Sequence, residues 1–408
     1  MILYDPFNPT FPAVARIISC PHMALIPHSG PGTMASVETE ENKEKARGVR
    51  DWLLEHHGLD LFELGLPAAS WYSRTLNLVL TSDRFFAPLA TDAQRGLWHP
   101  SAFHCVGTMQ DPRKSFRPAQ KDFPLDQICA ARDGGKRVVL VSLGSVVTGT
   151  FFEAPLGRVV PSHISNNDDG AKVMDGFGRI QTLRDMTGGD FMRFVFRCVF
   201  QALGSPVTGS DGGDESDFLV LLVCGDRGPE VLKDVRDPES ITEEAYGLPI
   251  PLPSNFLAFH RVPQLELLPL CSCFITHGGM GSVMESLLFR VPMAVVPCFG
   301  DQVWNADCMA ETDMGVSFRY PLRTLSVDSL RDAVMEISAP GAENSYRRAV
   351  EAAATQMEQQ GGAEGAASIV LKAIETKVRG QSQSQPQPQP EGAMEGCEEA
   401  EAGSRLQV

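Results

Sequence analysis

At 408 residues the chain is long enough for two domains, each with its own core. A formal net charge of −16, with no Lys/Arg-rich run, makes nucleic acid and anionic membrane surfaces poor partners. No stretch of about 18 apolar residues offers a membrane span.

The chain opens on Ile2–Tyr4, a short apolar run expected to be a strand, followed by Asp5. The start lacks the charged n-region and long apolar core of a signal peptide. Further strands are expected at Leu76–Leu80, Val138–Leu143, Phe218–Val223, Phe256–Phe259, Cys273–Thr276 and Met293–Val296. Amphipathic stretches at Asp190–Leu203, Met280–Phe289, Val327–Ile337 and Tyr346–Gln359 read as helices, and His56-His57 falls on another. Strand–helix alternation of this kind implies a parallel α/β sheet covered on both faces, with binding beyond the carboxyl ends of the strands. The ten cysteines lie scattered, mostly in apolar segments, and Cys271-Ser-Cys273 has no second Cys/His pair at ligand spacing. They read as buried thiols of a reducing cytosol rather than as a metal or redox site.

Composition divides the chain further. Residues 1–109 form an N-terminal part, 110–136 a polar, Pro- and Lys-containing linker, and 137–379 a larger domain. Two loop insertions, about 148–189 and 208–217, are expected to be disordered, as is the Gln/Ser/Pro-rich and then acidic tail 380–408.

The most informative segment is Phe274-Ile-Thr-His-Gly-Gly-Met-Gly-Ser-Val-Met-Glu-Ser-Leu-Leu288. A buried strand runs into His277 and a Gly-rich turn that opens an amphipathic helix. Free backbone N–H groups and the positive end of the helix dipole then converge on one spot, an anion site. Gly278, Gly279 and Gly281 let the backbone approach a phosphate with no Cβ in the way. Ser282 either touches that phosphate or caps the helix. Glu285, one turn further in, accepts hydrogen bonds from sugar hydroxyls or pairs with a surface cation. The combination suits a sugar nucleotide better than a bare phosphate.

From about Val262 to Phe318 the sequence closely resembles the donor-binding signature of the UDP-glycosyltransferases of GT-B fold, most of all their macrolide- and sterol-type branches. The matching residues are Val262-Pro-Gln264, His277-Gly-Gly-Met-Gly-Ser282, Glu285, Val291-Pro-Met293, Pro297, Asp301-Gln302 and Asn305-Ala306. Upstream, Val138-Val-Leu-Val-Ser-Leu-Gly-Ser145 resembles the strand and phosphate loop that begin the family's nucleotide domain, with Gly144 and Ser145 facing the diphosphate or making a plain tight turn. The resemblance implies a GT-B fold of two Rossmann-like domains, the N-terminal one incomplete. It implies a UDP-sugar donor, with His277 on the diphosphate, Gln264 near the base or ribose, Glu285 on the ribose, and Asp301 and Gln302 on the transferred sugar. Arg261 stands where many relatives stack an aromatic ring on the base, and Gly281 where Asn is common.

The N-terminal Ile2-Leu-Tyr-Asp5 resembles the middle of the family's acceptor-binding domain, which makes Asp5 the carboxylate that orients a histidine general base. None of the nine histidines sits in the Gly-His-x-x-Pro-like turn that supplies this base in relatives. No D-x-D motif occurs, so no metal is expected. The function this implies is UDP-sugar-dependent transfer of a hexosyl group to a hydroxyl of a small apolar acceptor, inactive in this shortened form or completed by a separate acceptor-domain subunit. The alternatives are a nucleotide-sugar-binding pseudoenzyme, or donor-binding subunit, and a GT-B-fold sugar-nucleotide epimerase.

Overall fold

The computed structural model describes residues 1–8, 10–32, 40–89, 91–110, 123–156, 173–174, 180–181, 185–205, 216–234 and 252–383. The chain divides into two compact units, 1–366 and 367–408. Within the described residues the second is the remainder of one helix, Gly362–Gln383. The helix therefore runs past residue 380, where the tail was expected to begin; residues 384–408 lie outside the described set.

The first unit holds two parallel sheets. The smaller contains β1 (Ile2–Tyr4), β2 (His22–Ile26), β3 (Asn77–Val79) and β4 (Phe103–Cys105) in the order β1-β2-β3-β4. Helices α1 (Thr10–Ile17), α2 (Glu40–His57) and α3 (Asp92–Leu97) lie between these strands in the chain. Its core joins Tyr4, Ile26, Tyr72, Val79 and Trp98.

The larger sheet is built from β5 (Arg137–Ser142), β8 (Phe218–Val223), β9 (Phe256–Phe259), β10 (Cys273–Thr276), β11 (Met293–Val295) and β12 (Gly315–Ser317), all parallel. Read from one edge the order is β9-β8-β5-β10-β11-β12. That is the doubly wound order, in which the chain works outward first to one side of β5 and then to the other, and β5 and β10 flank the point of reversal. The strands are apolar on both faces because both are covered. Val139 and Val141 of β5 join one core with Phe191, Val195, Leu330 and Val334. Val138 and Leu140 join the other with Ile128, Val283, Leu287 and Val350. The covering helices are α4 (Leu125–Asp133), α5 (Gly188–Leu203), α8 (Met280–Leu288), α11 (Val327–Ile337) and α12 (Ser345–Gln360). Between them in the chain come α6 (Gly228–Asp234), α7 (Gln264–Leu267), α9 (Gln302–Glu311) and α10 (Pro321–Thr324), and α13 (Gly362–Gln383) follows. A capping box of Thr187 and Asp190 starts α5, and one of Ser326 and Ser329 starts α11.

Part of the expected linker 110–136 is a core element. Leu125, Ile128 and Ala131 recur every third residue on α4, and Ile128 is fully buried against the larger sheet. Residues 111–122 lie outside the described set. The expected insertion 148–189 contains a helical turn at Val146–Thr150, a short antiparallel pair of β6 (Val173–Met174) and β7 (Ile180–Gln181), and the start of α5. Its other residues, and 208–215 of the second insertion, lie outside the described set.

Candidate functional site

A cleft of about 580 Å³ opens beyond the carboxyl ends of β5, β8 and β9 and beside the start of α8. It sits where the strand order reverses, as a doubly wound sheet dictates. β5 contributes Ser142, Gly144 and Ser145, β9 leads into Arg261, Val262 and Gln264, and α8 contributes Gly281, Ser282 and Glu285.

The turn between β10 and α8 is shaped by what glycine permits. Gly278 has φ +82°, and a Cβ there would lie 2.5 Å from Val295 Cγ1. Gly144 has φ +75°, and a Cβ on it would stand 2.4 Å from His277 Cε1; one on Gly279 would stand 2.4 Å from Nε2. The imidazole is thus enclosed between two glycines from opposite sides of the switch point. Burial pushes its pKa down to about 4, while a hydrogen bond to the Ser142 backbone acts the other way. At neutral pH the ring is uncharged and its one N–H goes to the Ser142 carbonyl. The ring is buried and is not among the residues that line the cleft.

Gly279 is the N-cap of α8, and no side chain caps it. The first N–H groups of the helix are therefore left for an anion rather than satisfied from within. Ser282 does not cap; it lines the cleft, its Oγ 3.5 Å from Gln264 Nε2. A Cβ on Gly281 would meet nothing within 4 Å, so the space beside it is open.

Glu285 is held by two amides. Gln264 Nε2 donates to Oε2 at 2.6 Å and Gln110 Nε2 donates to Oε1 at 2.7 Å. The first partner belongs to the expected set; the second does not. The Arg261 guanidinium is paired with Asp226 Oδ2 at 2.7 Å, both on the cleft wall.

Asp301 and Gln302 lie outside the cleft wall, at the start of α9. Burial raises the Asp301 pKa and the Asn305 amide, donating at 3.0 Å, lowers it. The Gln302 carbonyl oxygen accepts the backbone N–H groups of Cys298 at 2.8 Å and Phe299 at 3.0 Å, so its amide is anchored to the loop before α9. Asn305 is fully buried; Nδ2 donates to the Gly278 carbonyl at 2.8 Å, and Oδ1 accepts from Ser29 Oγ at 3.2 Å. Ser29 follows β2, so this one side chain ties the glycine turn after β10 to the smaller sheet. Asp5 is exposed on that sheet, and its Oδ1 accepts the Phe7 N–H at 2.9 Å, which makes it the side chain of a local turn.

Residues 245–351 match the family described as UDP-glucoronosyl and UDP-glucosyl transferase. The chain is 33% identical over 128 residues to the uncharacterized UDP-glucosyltransferase YojK of Bacillus subtilis (strain 168), a match covering 31% of this chain and 30% of that protein. It is 34% identical over 132 residues to the NDP-glycosyltransferase YjiC of the same organism, covering 32% and 30%. The chain thus spans about 30% of the length of these curated relatives. In fold it is similar to the glycotransferase of kitacinnamycin, with a TM-score of 0.56 at 20% identity over 91% of this chain and 74% of that one. Matched segment and architecture agree: residues 245–351 are similar to the UDP-glucoronosyl and UDP-glucosyl transferase family, and the fold is of GT-B type, two Rossmann-like domains with parallel sheets.

Proposed function

We propose that the cleft at the switch point binds a UDP-sugar and that the protein passes its hexosyl group to a hydroxyl of a small apolar acceptor. The observation that carries this is the pairing, on one short helix, of an uncapped N-terminus at one end and Glu285 a turn further in. The diphosphate lies against the N–H groups of α8 and the glycine turn, which also stabilise the charge that develops on departing UDP. The ribose lies against Glu285, and the base extends toward Val262 and the Arg261 plane, which the Asp226 carboxylate steadies. Asp301, one turn before Asn305, meets the sugar. No resident cofactor is required for this chemistry. A reducing, cytosolic setting is proposed on the unbridged thiols of Cys271 and Cys273, two residues apart.

The geometry of Asp5 favours a second reading, in which the protein holds the nucleotide sugar without transferring it, as a binding protein or as the donor-binding partner of another subunit. Asp5 is exposed and its Oδ1 takes the Phe7 N–H, a local turn role that does not call for a histidine base beside it. The two readings separate in one pair of measurements. Calorimetry with UDP tests the cleft, and affinity equal for UDP and ADP, or no tighter than millimolar, removes both. Turnover of UDP-glucose with phenolic, sterol and macrolide hydroxyls then selects transfer, and tight UDP binding without turnover selects the second reading.

A further inference from the structure

We propose that Gln110 reads the ribose of the bound nucleotide and makes the cleft selective for ribonucleoside over 2′-deoxyribonucleoside diphosphates. The inference rests on the nucleotide-binding reading of the cleft and adds a residue from outside the larger domain's sheet and helices. Gln110 follows β4 of the smaller sheet, and the intervening segment is fixed on both sides. The Gly107 N–H donates to the Thr81 carbonyl at 3.1 Å, and a Cβ on Gly107, at φ +73°, would lie 2.9 Å from the Met357 carbonyl of α12. Gln110 N–H then donates to Thr108 Oγ1 at 3.2 Å. The side chain is thereby delivered to Glu285 Oε1, the oxygen that Gln264 leaves.

Its hydrogen bonding is half complete. Nε2 donates to Glu285, whereas Oε1 is buried and has no hydrogen-bond partner among the described residues. An unmet buried acceptor is costly, and one on a cleft wall is a place for a ligand donor. Beside it stand the two Glu285 oxygens, each with one amide donor and lone pairs to spare. Side by side, a carboxylate and an orphaned amide oxygen ask for a ligand with two adjacent donors and reject an anion. A ribose 2′,3′-diol meets both: one hydroxyl donates to Glu285 and its neighbour to Gln110 Oε1, and each oxygen can accept from a glutamine N–H in return. A 2′-deoxyribose leaves one acceptor unmet.

The test is calorimetry of the full chain with UDP, 2′-deoxy-UDP and inorganic pyrophosphate. The unaltered protein is expected to bind UDP about tenfold more tightly than 2′-deoxy-UDP, the scale of one buried hydrogen bond. Gln110→Met keeps length and loses the amide; it should weaken UDP about tenfold, leave pyrophosphate affinity unchanged and bring the two nucleotides close to equal affinity. Gln110→Asn, one methylene short, should act alike and stands in if the first variant folds poorly. If the unaltered protein binds UDP but does not discriminate, or if both variants keep affinity and discrimination, the Gln110 assignment falls while the nucleotide reading stands. If the unaltered protein binds no UDP, both fall.

Discussion

At the level of single residues the site depends on where a Cβ is tolerated. Gly278 and Gly281 are three apart and opposite in this respect: the first has φ +82° with Val295 against it, the second has open space. Gly278→Ala is therefore expected to destabilise the protein and abolish UDP binding, whereas Gly281→Asn should leave the melting temperature unchanged; thermal melts with and without UDP check both. Two buried histidines set a pH response. His277 and His28 are each pushed by burial from an ordinary 6.5 to about 4. His28 is satisfied as a neutral ring, with Nδ1 3.1 Å from the Gly30 carbonyl and Tyr72 hydroxyl 3.3 Å from Nε2. Because the unfolded chain takes up these protons first, the stability they contribute is fully present above about pH 6.5 and is lost as pH falls toward 4. The slope is up to about 1.4 kcal/mol per pH unit for each ring. Denaturant unfolding between these pH values measures it. A stability that rises on acidification across that window would show that the rings are charged in the folded state.

At the level of elements, α4 is the sharpest lesson. Lys136, Arg132 and the neighbouring polar residues make the stretch look like a linker, yet Leu125, Ile128 and Ala131 cover the larger sheet. Ile128→Ala should cost about 2–5 kcal/mol, as a cavity in a true core does. A denaturant midpoint unchanged by the substitution would return α4 to the status of a connector. Each apolar run read as a strand became one within a residue or so at its ends, because strands buried on both faces declare themselves as uninterrupted Val, Leu and Phe. Five of the described strands were not legible. β6 and β7 fall in a stretch read as an insertion. β2, β4 and β12 carry His22, His104 and Gly315–Ser317, and their place is set by pairing with β1, β3 and β11 rather than by their own composition. The strand, glycine turn and helix start were legible as local structure because His277 to Glu285 are contiguous. Gln110 and Ser29 were not, since each meets its partner only after the chain has crossed from one sheet to the other.

For the whole molecule, Asn305 is a buried polar contact between the two sheets among the described residues, and it reaches the glycine turn directly. Removing its amide strands both the Ser29 hydroxyl and the Gly278 carbonyl. Asn305→Leu is expected to cost about 1–3 kcal/mol for each group left unpaired and to weaken UDP although Asn305 is outside the cleft wall. Chemical denaturation and calorimetry on the same preparation test the coupling. A stability loss with UDP affinity intact would make Asn305 purely a matter of packing.

The His277 imidazole sits between Gly144 and Gly279, and that enclosure exists only when β5 and β10 lie side by side, with Val139 opposite Cys273 and Ser142 opposite Thr276. More than a hundred residues of chain, including β8 and β9, intervene between the two strands. Pairings so distant in sequence form slowly, because the loop must close before any contact rewards it. On the nucleotide-binding reading of the cleft, affinity for UDP is then among the last properties acquired during refolding. After dilution from denaturant, helical circular dichroism should recover first and the capacity to capture a fluorescent UDP analogue only afterwards, in a separate and slower phase. The ligand becomes a clock for the closing of the sheet, and simultaneous recovery of both signals would place the β5–β10 pairing early instead.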